Sequence, residues 1–280
     1  MKKYRRRLPY AARMAIVFAA ALLLFAAIVL TLHILGFRYV TCHRLDGTSV
    51  RFAGRVGSDG APVLGVVLFP DGSKATVDRS DGSFVYSNGS RYSGRLDSVF
   101  EREGQGSITL KNGDSYTGDF LHDRLSGHGV YRFANGDVYE GDFVENKKQG
   151  FGKYTYADGE IYEGGFYDDM RHGQGKMSKP DGASYEGTYD RGIKSGKGKY
   201  VYPNGDVYEG DFADDMRHGN GTYTWADGES YTGEFAYNNI NGRGTYTWTS
   251  GRASYTGYFV NGEIVLVDPA DAGETKQVQE

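Results

Sequence analysis

The chain holds one cysteine, six prolines and two tryptophans among 280 residues. A single thiol, Cys42, excludes an intramolecular disulfide, and no Cys-x-x-Cys pair is present to hold zinc. No nucleophile elbow, P-loop, kinase lysine or zinc-binding helix occurs, so no catalytic, metal or cofactor residue is assigned. The stretch from 138 to 160 has no continuous apolar run of the kind an ordinary buried strand shows. Basic clusters are also scarce. The first 14 residues carry +6 and no acid, so the remainder is −10 against a whole-chain charge of −4. A net acidic body is a poor match for nucleic acid and for anionic lipid head groups.

What the chain has instead is 42 glycines and 23 tyrosines. They recur in register. Tyr92, Tyr116, Tyr139, Tyr162, Tyr185, Tyr208, Tyr231 and Tyr255 are spaced by 24, 23, 23, 23, 23, 23 and 24 residues, and each is followed two residues later by a glycine. A Gly-x-Gly pair keeps the same step from Gly104 to Gly242. Such self-similarity marks a repeat architecture.

Each copy reads as two short strands. In VYEGDFV, Tyr139, Gly141 and Phe143 alternate with Glu140 and Asp142, which places rings on one face and acids on the other. In the second strand, Gly152, Tyr154 and Tyr156 alternate with Lys153 and Thr155. Between the two, Glu145 to Gln149 reads as a polar loop. Asn-Gly or Asp-Gly pairs join successive copies, as at Asn135-Gly136, and predict tight type I′ hairpin turns. Recurrent strand glycines predict a close approach by something large, with neighbouring tyrosine or phenylalanine rings the candidates. The fold class expected is all-β: a single-layer antiparallel β-hairpin repeat ribbon, preceded by one transmembrane helix.

YEGDFVENKKQGFGKYTYADG and YEGDFADDMRHGNGTYTWADG resemble MORN repeats, the membrane occupation and recognition nexus motif. Six copies from Ser115 to Arg252 fit well. The copy from Arg91 to Asp114 is weaker, with Leu96 in place of an aromatic residue, and Val50 to Gly72 resembles a decayed copy. The resemblance implies the fold and leaves the function open, because the family accompanies many unrelated activities. MORN repeats also occur in plant phosphatidylinositol phosphate kinases, but no kinase domain is expected here. One copy departs from the pattern: GQGKMSKPDG puts Met177 and Lys179 where other copies carry aromatic residues.

Ahead of the repeats, Ala15 to Leu35 are 21 residues without formal charge, enough to cross a bilayer and long for a cleaved signal. Lys2, Lys3, Arg5, Arg6, Arg7 and Arg13 precede them, and fewer cations follow, so the amino terminus is expected in the cytoplasm and the repeats outside. The organisation expected is a basic segment 1–14, an anchor 15–36, a linker 37–48, degenerate repeats 49–90, the ribbon 91–267 and a polar disordered tail 268–280.

One aromatic face is expected to gather Tyr139, Phe143, Tyr154, Tyr156, Tyr162, Phe166, Tyr208, Phe212, Tyr223, Trp225, Tyr231, Phe235, Tyr246 and Trp248, which bury one another as core; the alternative, a part of the stripe left open as a groove, makes this face the candidate partner-binding surface. The leading reading is a non-catalytic, membrane-anchored scaffold binding a partner protein along the ribbon. The alternatives are stacking on a cell-wall glycan and association with phospholipid. The repeated DDMRHG, which holds His172 and His218, reads as a solvated hairpin tip rather than a metal site. An unpaired terminal strand near Gly257 to Val265 could pair with another chain.

Overall fold

The computed structural model describes residues 10–44, 46–58, 62–78 and 83–265. The start of the basic segment (1–9) and the tail expected at 268–280 lie outside them. The fold is all-β, one open antiparallel sheet of 21 strands after a single amino-terminal helix. Two compact units make up the chain, residues 1–112 with 121–123, and residues 113–120 with 124–280.

The first unit begins with α1 (Tyr10–Ile34). Seven strands follow: β1 (Phe37–His43), β2 (Ser49–Val56), β3 (Pro62–Leu68), β4 (Lys74–Asp78), β5 (Ser83–Tyr86), β6 (Arg91–Leu96) and β7 (Arg102–Thr109). Consecutive strands pair antiparallel throughout. Residues 37–43, expected as linker, form β1 and pair along their whole length with β2. Met14–Ile34 within α1 is 21 residues with a mean hydropathy of 2.9, and none of it is buried against the protein. It is long and apolar enough to cross a membrane. Val50, Phe52, Val67, Ala75, Val77 and Phe84 form the core of this unit.

The second unit is more regular. Its strands are β8 (Ser115–Leu121), β9 (Arg124–Arg132), β10 (Val138–Val144), β11 (Lys147–Thr155), β12 (Ile161–Tyr167), β13 (Met170–Ser178) and β14 (Ser184–Asp190). They continue as β15 (Ile193–Val201), β16 (Val207–Ala213), β17 (Met216–Thr224), β18 (Ser230–Ala236), β19 (Asn239–Thr247), β20 (Tyr255–Val260) and β21 (Glu263–Val265). From β9 onward each strand pairs with the next. The terminal strand expected across Gly257 to Val265 is two strands: β20 pairs on both sides, and only the three residues of β21 end the sheet.

One ring per copy lies at the centre of the core. The Tyr139 ring lies over the cross-strand pair Gly141 and Gly152, and a Cβ on either glycine would fall 2.6 Å from the Tyr139 hydroxyl. The same stack recurs at Tyr162, Tyr185, Tyr208 and Tyr231. In the first unit Phe52 takes this place over Gly54 and Gly65. Each tyrosine is wedged edge-on between two rings. Tyr139 meets Phe143 at 5.1 Å and Phe166 of the next copy at 5.0 Å, and Tyr208 meets Phe212 at 5.1 Å and Phe235 at 4.9 Å. Edge-to-face pairs contribute about 0.5–1.5 kcal/mol each beyond their buried area, so this chain of contacts gives a one-layer sheet its core. Tyrosine rather than phenylalanine fits because the hydroxyl donates to a carbonyl three residues on, as Tyr139 does to Asp142 (3.1 Å) and Tyr208 to Asp211 (2.8 Å). Those carbonyls sit where the ladder register breaks beside Gly150 and Gly219.

The turns exchange the roles expected of them. Asn135-Gly136 is not a type I′ pair: only Gly136 has positive φ (+98°), and its amide donates to the Phe133 carbonyl (3.0 Å) while Phe133 N donates to Asp137 O (2.9 Å). This is a three-residue loop with a bulge at the glycine. The two-residue turns lie inside each copy. Glu145 (φ 49°) and Asn146 (φ 70°) both have positive φ and join the paired residues Val144 and Lys147. The loop expected over Glu145 to Gln149 therefore closes at Asn146, and Lys147 to Gln149 belong to β11.

Candidate binding surface

Beyond the core rings, a second row occupies the same face. It is built by the second strand of each copy, two residues apart: Tyr131 with Phe133 (4.5 Å), Tyr154 with Tyr156 (4.4 Å), Tyr200 with Tyr202 (4.5 Å), Tyr223 with Trp225 (4.8 Å) and Tyr246 with Trp248 (4.9 Å). Successive pairs touch, Tyr202 on Tyr223 at 5.7 Å and Trp225 on Tyr246 at 5.2 Å. The structure thus divides the residues expected on the aromatic face. Tyr139, Phe143, Tyr162, Phe166, Tyr208, Phe212, Tyr231 and Phe235 are buried core, whereas Tyr154, Tyr156, Tyr223, Trp225, Tyr246 and Trp248 stay half-exposed.

An acid fixes the first ring of most pairs. Asp137 accepts the Tyr154 hydroxyl (2.7 Å) and the Ala157 amide (2.8 Å), and Asp206 accepts from Tyr223 (2.5 Å) and Ala226 (2.9 Å). The tyrosine bond, with the amide behind it, holds both carboxyls below the usual aspartate range. Burial and the adjacent acid push Tyr131 and Tyr246 up to about 12.

A row of cations, absent from the sequence reading, runs under these rings: Lys148, Arg171, Lys194 and Arg217, 23 residues apart. Each is cross-strand from a core ring, Lys148 from Phe143 and Arg171 from Phe166. Lys148 lies 5.1 Å from the centre of Tyr154, Arg171 5.0 Å from Tyr189, Lys194 5.1 Å from Tyr200 and Arg217 5.0 Å from Tyr223. Desolvation pulls Lys148 and Lys194 below the ordinary lysine range. The repeat period carried this signal, but Lys148 and its equivalents fall in the segment read as loop. The DDMRHG strings are likewise turn and strand: Asp168 and Asp169 form the turn, and Arg171 points to the ring face. His172 lies 3.4 Å from Asp190.

The first unit brings together Asp97, Glu101 and His122, with atoms spaced as a metal ion would need. Glu101 and Asp97 already have partners within the protein. Glu101 pairs with Arg44 (3.5 Å) and His122 (3.1 Å), while Asp97 accepts the Val99 and Glu101 amides of its own turn. The cluster fits a capped turn held by Arg44. The opposite face of the second unit carries cross-strand Lys–Glu pairs such as Lys153–Glu163 at 2.8 Å. These are exposed and contribute little.

A one-layer antiparallel repeat with a Tyr-x-Gly step defines the class. The chain carries six consecutive MORN repeats, at residues 116–138, 139–161, 162–184, 185–207, 208–230 and 231–251. Among curated proteins none matches the chain. Among solved structures it is similar to the TCP domain of SAS-4 from Drosophila melanogaster in complex with a proline-rich motif of Ana2, at 17% identity over 56% of this chain and 84% of that one, TM-score 0.36. It is also similar to the TCP10 domain of Danio rerio CPAP in complex with a STIL peptide, at 11% identity over 79% and 100%, TM-score 0.25. A streptogramin B lyase follows at 14% identity over 81% and 85%, TM-score 0.17. Likeness this distant does not bear on what the chain does.

Proposed function

We propose that the chain is a single-pass membrane scaffold, without catalytic activity, that binds a partner protein along the second ring row. The division between the two rows carries this reading. The first row closes the core by itself, so the half-exposed rings of the second are available as large, rigid contact area, the type of surface that supplies interface anchors. The apolar segment Met14–Ile34 is the anchor. The six cations ahead of it support an orientation with the amino terminus in the cytoplasm and the repeats outside.

Replacing Trp225 with a photo-crosslinking benzoylphenylalanine in the full chain tests the surface. Irradiated cells are expected to yield one protein adduct that is lost in a Tyr223→Ala, Tyr246→Ala background. Adducts to lipid or glycan alone, or none, would refute a protein scaffold. Orientation needs a better probe than Cys42, which is half-buried and whose thiol is pushed up by burial and by Asp97. A Lys176→Cys, Cys42→Ala chain presents an exposed thiol. It should react with an impermeant maleimide on intact cells, and reaction only in opened cells would reverse the orientation.

A further inference from the structure

The second ring row is interrupted once, at the copy spanning residues 162–184. Three departures fall in that copy and a fourth in the turn of the next, residues 185–207. Met177 and Lys179 replace the two rings. Ala183 stands where other copies carry the acid that holds the next tyrosine, here Tyr200. Gly192 occupies the turn position that gives Lys148 and Lys194 their acids, Asp169 and Asp215. The result is a concavity of about 390 Å³ bounded by Tyr189 and Tyr200, with Arg171, Lys179 and Lys194 on its walls.

The charges in it do not cancel. Glu160 has lost both of its regular partners, because position 177 is methionine and position 180 is proline, which has no N–H; it pairs instead with Lys179. Asp215 accepts the Lys194 amide at 2.9 Å and lies 3.9 Å from its ammonium. Arg171 donates to the Gly192 carbonyl at 2.9 Å and stacks on Tyr162 and Tyr189, with no carboxylate in ion-pair reach among the described residues. One half-buried guanidinium thus faces an open space with two rings missing from it. Arg217 also has no carboxylate in ion-pair reach among the described residues, but there the row is complete, with Tyr223 and Trp225 in place.

We infer that this gap is the anchor point of the partner protein: an acidic side chain next to an aromatic ring, on an extended segment, docks with its carboxylate on Arg171 and its ring in the place left by Met177 and Lys179. The inference rests on the scaffold reading above and names the chemistry of the partner. A guanidinium offers paired donors in a plane that matches a carboxylate, and the charge-assisted bond strengthens where water is excluded. The missing rings supply the apolar half of the fit, since a guest ring would stack on Tyr200 as Tyr202 stacks on Tyr223.

The test pans a randomised heptapeptide display library on the full chain in detergent and measures the enriched peptides against three variants. The enriched sequences are expected to place Asp or Glu beside Tyr, Phe or Trp. Arg171→Gln should weaken them roughly ten- to a hundredfold, the loss of one charge-assisted contact, and flatten their salt dependence. Restoring the regular rings with M177Y/K179Y should abolish binding while the thermal midpoint holds or rises, which separates a filled site from a misfolded chain. Peptides without acid enrichment, or no enrichment over the M177Y/K179Y chain, would overturn the inference. Peptides that bind M177Y/K179Y undiminished but are lost with Trp225→Ala would overturn it while leaving the scaffold reading intact. Displacement of the peptides by inorganic phosphate or by phosphatidylglycerol vesicles would overturn it in favour of a phosphate ligand.

Discussion

A single residue pair sets the thickness of this sheet. Because Gly141 and Gly152 lack Cβ atoms, the Tyr139 ring lies flat on the backbone and both faces of the ladder stay within one layer. Gly141→Ala would bring a methyl group 2.6 Å from the Gly152 Cα, backbone that cannot swing aside. It should cost about 1–3 kcal/mol, read as a lowered thermal midpoint. Tyr139→Phe keeps the ring and loses only the bond to the Asp142 carbonyl, and should cost about 1 kcal/mol. Buried hydroxyls also make the fold sensitive to alkali. Burial pushes Tyr116, Tyr162 and Tyr185 up to about 12, against about 10 in an unfolded chain. The folded state therefore holds these protons more tightly. That stability is fully present below pH 10 and is lost as the pH rises through 12, where unfolding and phenolate absorbance should climb together.

At the scale of the hairpin, turn chemistry fixes the register. Two-residue turns with both φ values positive suit the right-handed twist of the strands they join, but they strain any side chain without a local hydrogen bond. The second position is always Asp, Asn or Gly, whereas the first also holds His122, Glu145 and Arg191. Tyr237 (φ 51°) is the aromatic residue at that first position, and its ring is largely exposed. Tyr237→Asn should raise stability by about 1 kcal/mol in equilibrium denaturation, relieving a left-handed aromatic residue. Asn238 beside it would keep its bond to the Arg217 amide (2.9 Å).

For the chain as a whole, contacts of each copy with its neighbours predict modular stability. Deleting residues 139–161, one full copy, joins Val138 to Tyr162 in phase. That chain should keep its β-sheet circular dichroism at a lower thermal midpoint. Deleting only residues 139–150 leaves the following strands facing the wrong partners and should abolish the cooperative transition. Equal midpoints for the two deletions would show that the register is not set by the 23-residue step.

The sequence by itself determined the period, the two strands per copy, the ring face and the apolar segment long enough to span a membrane, because spacing and alternation are local properties of the chain. Phe52 above Gly54 was legible as a decayed copy for the same reason. Tertiary structure decided what depends on pairing. It moved the tight turn from Asn135-Gly136 to Glu145-Asn146, since only the ladder shows which residues close a hairpin. It separated buried Tyr139, which lies over the Gly141–Gly152 pair between Phe143 and Phe166, from its half-exposed cross-strand neighbour Tyr154. It set Arg171 opposite Phe166, beside the missing rings of Met177 and Lys179 and without the acid that Gly192 fails to provide. Those residues lie in separate turns and strands, and only the stacking of copies makes them one site.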